Sequence, residues 1–441
     1  MKFPLSFILL FSAMSLITGC SFFTSRFENL ASLKNKETKS NISSTKVNYC
    51  ADKTRIQYIS EDEASLPFYR QLSNSIFDNK SINFIQKSVM LSLIEMSRRP
   101  DEASPYSRLQ IFLKYNKQKY YYDFKPKEFN DKLQMPYLKA LDFLTQKFIP
   151  GQSLNSIAKT LDIIIPNNLK VSSDFEAFLK ENKNDLLKND FLTEQFFKGD
   201  EILTRHETFE RNRYQNIITQ YLSQYSKNEN YDFQTNGLDT YKLSKDNFKV
   251  SCNVDLSKIS TLKEEIFTSE KKKSHYIGFQ DGDNVFLAVS SNTLKRPFTT
   301  DKSYYIKASA GIDPLPVCEF KSDNKDITLF SSNGRSPLQH LQHLVTYEIN
   351  LVDSSTALND MLNFSRHLFL TNPDRILYES KRGRKSQLDF FLEMNFPIYH
   401  VESLGDIFGH AIFKNSIDKV NKEEQSLHID DRNQTRLWCK Q

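Results

Sequence analysis

The chain has 441 residues, 39% hydrophobic and 26% charged, with a formal net charge of +5. That length supports two domains with real cores, and with a mean hydropathy of −0.53 no second transmembrane segment is expected. So small a charge on so long a chain argues against a nucleic-acid partner.

Lys2 precedes an apolar run from Pro4 to Thr18. The run suits a signal-peptide core and falls short of the ~20 residues that a spanning helix needs. It closes on Ile17-Thr18-Gly19-Cys20. These four residues resemble the bacterial lipobox: a branched aliphatic, two small residues and a cysteine. The resemblance implies cleavage between Gly19 and Cys20, a diacylglycerol on the Cys20 sulfur and a palmitate-type acyl group on the new amine. Two or three chains anchor a protein stably where one does not. The expected location is therefore the bacterial cell envelope, with the lipid bilayer as partner. Ser21, directly after the cysteine, points to the outer membrane.

Removing residues 1–19 leaves 422 residues, of which 20–48 read as a lipidated N-terminus and flexible tether spanning roughly 30 Å. Residues 49–240 read as a mainly helical domain. "SINFIQKSVMLSLIEMS" places Ile82, Ile85, Val89 and Leu93 on one stripe behind Ser81 as N-cap. "SDFEAFLKEN" opens with a capping box from Ser173 to Glu176, and residues 199–226 read as the longest helix. Residues 245–413 change character. "HYIGFQDGDNVFLAVSS" is a strand, an Asp-Gly turn and a strand, and "VCEFKSDNKDITLFSS" is a second hairpin. Farther on, "RILYES", "RKSQLDFFLEMN" and "PIYHVES" alternate strand, helix and strand. The fold class expected is α+β, a helical domain followed by an α/β domain whose mixed sheet contains at least one βαβ unit. Residues 414–441 read as a loop-rich tail.

Four cysteines follow Cys20: Cys50, Cys252, Cys318 and Cys439. An even set in an exported chain suggests disulfides, with three connectivities open. Cys252 and Cys318 both sit in strand-like segments of one region, which favours their pairing and leaves Cys50 with Cys439. The chain has no CxxC, so neither redox catalysis nor a thiolate zinc site is expected.

Motifs for chemistry are sparse. His340 and His343 in "HLQH" fall opposite the apolar face of Leu338, Leu341, Val345 and Ile349, and read as solvated. His367 receives the same reading, opposite the stripe Leu358, Met361, Leu362, Ser365 and Phe369. "HETFE" has Glu210 where a zinc-protease helix needs its second histidine, and reads as a charged helix face. No metal or cofactor is expected.

Two basic junctions stand out. "SSNGRSP" and "ESKRGRKS" each join a strand to a helix, and neighbouring strands would aim Arg335 and Arg382 into one crevice. His400 and Glu402 leave the next strand at the same end, and burial of His410 beside Phe408 and Ile412 could tune an acid–base group. The weak catalytic candidates are thus His410, Arg335 and Arg382, for a hydrolase acting on an anionic, phosphorylated substrate. With no intact catalytic motif, the sequence favours a binding or scaffold protein, with an envelope protein as its further partner.

Overall fold

The computed structural model describes residues 57–60, 66–125, 135–205, 207–225, 238–245, 247–256, 273–292, 296–300, 303–307, 315–332, 340–342, 344, 349–370, 374–382, 385–393, 395, 397–401, 403–415, 422–430, 432 and 436–439. Gly19, Cys20, Cys50, Arg335, His343 and Glu402 lie outside them.

The first half carries strands among its helices. β1 (Gln57–Ser60) is followed by α1 (Leu66–Leu72), a π-helical turn (Ser73–Phe77) and α2 (Phe84–Arg98). The cap of α2 is Asn83, whose side chain accepts the Gln86 N–H at 2.9 Å; Ser81 bonds Asn79 instead. Pro100 stands just past its end. A hairpin comes next, β2 (Arg108–Tyr115) and β3 (Gln118–Phe124), turning through Asn116 and Lys117 at φ 50° and 66°. Two consecutive positive φ values match the twist of the flanking strands.

α3 (Pro136–Phe148), α4 (Leu154–Ile164), β4 (Asn168–Lys170), α5 (Ser173–Glu181), α6 (Lys183–Leu186) and α7 (Asp190–Phe196) follow. The side-chain cap of α5 is Ser172, one residue before the expected Ser173. The helix expected over 199–226 is broken. β5 (Phe197–Lys198) pairs with β6 (Glu201–Ile202), and β7 (Thr208–Glu210) pairs with β4 and buries Phe209. Only α8 (Tyr214–Tyr225) remains helical.

The second half begins with β8 (Tyr241–Lys245), β9 (Phe248–Cys252), β10 (Lys273–Asp281) and β11 (Asn284–Asn292). The β10–β11 hairpin turns through Gly282 at φ 59°, as the Asp-Gly signal predicts. β12 (Arg296–Thr300) and β13 (Ser303–Lys307) pair with each other, and β14 (Val317–Lys321) with β15 (Lys325–Ser332) forms the second expected hairpin. α9 (Ser355–Asn363), β16 (His367–Leu370), β17 (Arg375–Tyr378), α10 (Lys385–Glu393) and β18 (Ile398–His400) follow. β17 and β18 are parallel with α10 between them, the expected βαβ unit. β19 (Asp406–Asn415), β20 (Lys422–Ile429) and β21 (Arg436–Cys439) close the chain.

Two six-stranded sheets dominate, in the orders β21-β1-β10-β11-β2-β3 and β20-β19-β15-β14-β9-β8. Every pairing within them is antiparallel. The βαβ unit therefore belongs to a separate three-stranded sheet, β16-β17-β18, and not to a large mixed one. Strands from both sides of the boundary expected at 240–245 hydrogen-bond into the first sheet, and β20 and β21, within the expected loop-rich tail, each supply an edge strand to one sheet.

The layers follow from which faces are apolar. Ile111, Ile277, Phe279, Phe286 and Ala288 on the first sheet pack against α2, α3, α4 and α8. On the opposite face, Phe112, Tyr276, Val285 and Leu287 meet Val317, Phe330, Phe408 and Leu427 of the second sheet. The outer face of the second sheet (Ile327, Leu329, Ile407, Ala411) is covered by Leu341, Leu344, Ile349, Val352 and α9. The result is a helix–sheet–sheet–helix sandwich, with both sheets buried on both faces. At Gly409 a Cβ would fall 2.0 Å from the Thr328 carbonyl oxygen, so β15 and β19 approach each other only over a glycine.

Candidate functional site

The sequence candidates are placed in different layers. His410 lies on β19, facing the inter-sheet layer with Phe408, and is 2% exposed. Its Nε2 has no protein hydrogen-bond partner among the described residues. Burial, then the Lys114 and Lys119 charges, hold its pKa well below 6.5, so the ring is neutral at physiological pH. Arg382 sits in a 3-10 turn (Ser380–Arg382) after β17, its backbone N–H donating to the Glu379 carbonyl at 3.2 Å. The two basic junctions leave β15 and β17, which belong to different sheets and are not hydrogen-bonded neighbours. The common crevice thus lacks the strand pairing it requires.

"HLQH" and "HETFE" are also corrected. His340 is buried, not solvated, and its Nε2 lies 2.6 Å from the Leu404 carbonyl oxygen. Burial, then the Arg366 charge, push its pKa down to about 3. His367 falls on strand β16, its ring 4.7 Å from that of Phe391, because the preceding helix ends at Asn363. "TFE" is strand β7, and no cluster of His, Cys, Asp and Glu able to hold a metal occurs among the described residues.

Beside His340 is an ion-pair node that pattern reading missed. The Arg432 side chain, fully buried, donates from Nε to both Glu379 carboxylate oxygens at 3.0 Å and from Nη2 at 2.6 Å. Its other donors reach the Leu362 carbonyl at 2.7 Å and the Phe364 carbonyl. Glu379 also accepts the Leu404 N–H at 2.6 Å and the Arg366 N–H at 3.0 Å. Asp430 accepts from Arg366 Nη2 at 2.6 Å and from the Ile407 N–H at 2.7 Å. Burial alone would raise the Glu379 pKa, but Arg432 hydrogen bonding and the Arg432 and Arg366 charges outweigh it and hold it below 4.5. Both arginines and both carboxylates are engaged with one another and with the backbone. A small cleft lined by His340, Leu344, Met361, Phe364, Ser365, Arg366 and His367 opens beside them.

Hydroxyl and charged groups also gather where β10 starts. Ser274 is 5% exposed and shares the inter-sheet face of β10 with Tyr276, whose hydroxyl is hydrogen-bonded to Ser332. In the same row, Ser274 lies opposite Ser291, and Ser291 opposite Arg108, which is ion-paired with Asp123 at 2.7 Å. On the other face of β10, His275 Nε2 meets Glu95 Oε2 of α2 at 2.7 Å. Nothing in local sequence joins these residues; strand pairing does.

Among the described residues one cysteine pair is formed. Cys252 on β9 and Cys318 on β14 are directly opposed in the register and bonded as a disulfide, both fully buried. β1 pairs with β21 so that Gln57 faces Cys439, which brings the beginning of the described chain beside its end.

No family model and no curated protein matches the chain. Among solved structures, a crystal structure of cephalosporin acylase from Bacillus halodurans superposes with a TM-score of 0.55 at 8% identity, over 91% of this chain and 98% of that one. The structure titled LmbA2991HD gives a TM-score of 0.57 at 8% identity, over 88% of this chain and 98% of that one. The likeness is one of fold. It spans almost the whole of both known proteins, so the helix–sheet–sheet–helix sandwich is shared as a unit rather than as a fragment.

Proposed function

We propose that the protein is a lipid-anchored component of the bacterial cell envelope, held through Cys20, which uses an acylase-like sandwich as a binding scaffold. The observation that carries this reading is the buried Cys252–Cys318 disulfide, since such bonds persist in oxidising, extracytoplasmic compartments. It agrees with the signal-peptide and lipobox residues Ile17-Thr18-Gly19-Cys20. The internal engagement of Arg366, Arg432, Glu379 and Asp430 supports a structural use of charge over a catalytic one. Replacement of Cys20 by Ser tests the anchor: the chain should move from the membrane fraction to the soluble or precursor fraction. Unchanged acylation of the Cys20→Ser chain would overturn it.

A second reading, amide hydrolysis, is favoured by the near-complete superposition on a cephalosporin acylase. Its best-placed hydroxyl is Ser274, at the head of a central strand and in one register row with Arg108, which is ion-paired with Asp123. A Ser274-dependent release of amine from an N-acyl anilide would establish that reading, and its absence across acyl chain lengths would remove it.

A further inference from the structure

We infer that Glu95 and His275, with Glu102 and Ser290 beside them, are positioning residues for the Ser274 hydroxyl, an inference that rests on the amide-hydrolysis reading and adds what holds that hydroxyl in place. Ser274 and His275 are consecutive on β10, so their side chains leave the sheet on opposite faces. Ser274 shares the inter-sheet face with Tyr276, and His275 the helix-facing side with Ile277. His275 Nε2 lies 2.7 Å from Glu95 Oε2 of α2, and the two side chains are 3% and 1% exposed. Ser290, the register partner of His275 on β11, donates to the Glu102 carbonyl at 2.7 Å. Both contacts therefore reach the head of the β10–β11 hairpin from behind the row that holds Ser274, Ser291 and Arg108.

This brace is itself held in place. Arg98 Nη1 stands 4.0 Å from Glu95 Oε1 and donates to the Tyr69 hydroxyl at 2.7 Å. Arg99, fully buried, holds Glu102 Oε2 at 2.7 Å and Asp101 Oδ1 at 3.1 Å. The Glu102 and Ala103 N–H groups donate to the Arg99 carbonyl at 3.0 and 2.8 Å. The same segment then runs into β2, which sets Arg108 opposite Ser291. One stretch, residues 95–108, thus supports the back of the hairpin head and supplies the cation of the row. Apolar packing fills this face farther along, at Ile277 and Ala288, and a buried charged pair is seldom more stable than such packing. Directional contacts add a fixed orientation. A reacting hydroxyl needs that, because a displacement of about 1 Å can cost ~10²-fold in rate.

The test uses the full chain and a series of N-acyl p-nitroanilides from acetyl to decanoyl, with Ser274→Ala marking the Ser274-dependent release. Glu95→Leu should lower kcat about tenfold or more and leave KM within about twofold. Glu95→Gln, which keeps the shape and an acceptor oxygen for His275, should recover most of that loss. Ser290→Ala removes only the second contact and should lower kcat about two- to threefold. It carries the test if Glu95→Leu does not fold, and melting curves check each variant. Unchanged kcat in Glu95→Leu and Ser290→Ala, or a loss confined to KM, overturns the brace and leaves the hydrolysis standing. Absence of Ser274-dependent release from the unaltered chain removes the hydrolytic reading and the brace with it.

Discussion

The Arg432 node and the inter-sheet positions His410 and Gln280 are equally buried and treated in opposite ways. Around Arg432, four charged side chains and the backbone of Leu362, Leu404 and Ile407 satisfy one another. Between the sheets, His410 Nε2 and both polar atoms of Gln280 have no protein partner among the described residues. The nearby Lys114 and Gln425 are linked to each other at 3.3 Å, and Gln425 donates to the Gly282 carbonyl. The difference separates two uses of buried polarity. The node fixes the β16-β17-β18 sheet and the 403–407 segment against the second large sheet, whereas His410 and Gln280 are groups the fold tolerates.

The largest effect should come from breaking the node. Arg432→Met leaves Glu379 and Asp430 as buried carboxylates without their shared cation, and should cost about 3–5 kcal/mol in urea denaturation. Adding Glu379→Met to that variant should recover part of the loss; strict additivity would contradict the coupling. A smaller effect is expected from pH. His340 and His428 have folded pKa values pushed down to about 3 by burial, against an ordinary 6.5. The unfolded chain takes up protons below pH 6.5 that the folded chain refuses, so stability is full above that pH and lost as pH falls from about 6.5 towards 3. The slope should approach ~1.4 kcal/mol per pH unit for each such histidine, measured as the urea midpoint between pH 7.5 and 5. His410, whose pKa is also held low, contributes in the same direction, so His410→Leu should flatten that slope by about one proton. The smallest effect distinguishes the two regions most sharply. Gln280→Met and His410→Leu at pH 7.5 should be neutral or stabilising by about 1 kcal/mol, because they remove unpaired polar atoms without orphaning a partner. A loss like that of Arg432→Met would show that they are paired after all.

Much of the fold was legible where pattern and turn chemistry agreed. The α2 stripe, the Gly282 hairpin, the β14–β15 hairpin, the βαβ unit and the Cys252–Cys318 pair all follow from local rules. The β2–β3 hairpin was missed because "RLQIFLKY" is buried along both faces for its first six residues and so shows no alternation. "KEEQSLHI" looked like loop because Gln425, Ser426 and His428 are polar, yet all three are buried in β20. The His340 error has a similar source: helix periodicity gives a face, but not the Leu404 carbonyl that arrives 64 residues later. The node and the Ser274 row were illegible for the same reason, since their members meet only through tertiary pairing.

The proposed anchor holds the helix–sheet–sheet–helix body to a bilayer through Cys20. Mass analysis of the N-terminal peptide of the protein purified from membranes tests it most directly. The expected result is a chain beginning at Cys20, with a diacylglyceryl group on its sulfur and an acyl group on its amine. A mature chain that begins elsewhere, or a Cys20 without lipid, would contradict it.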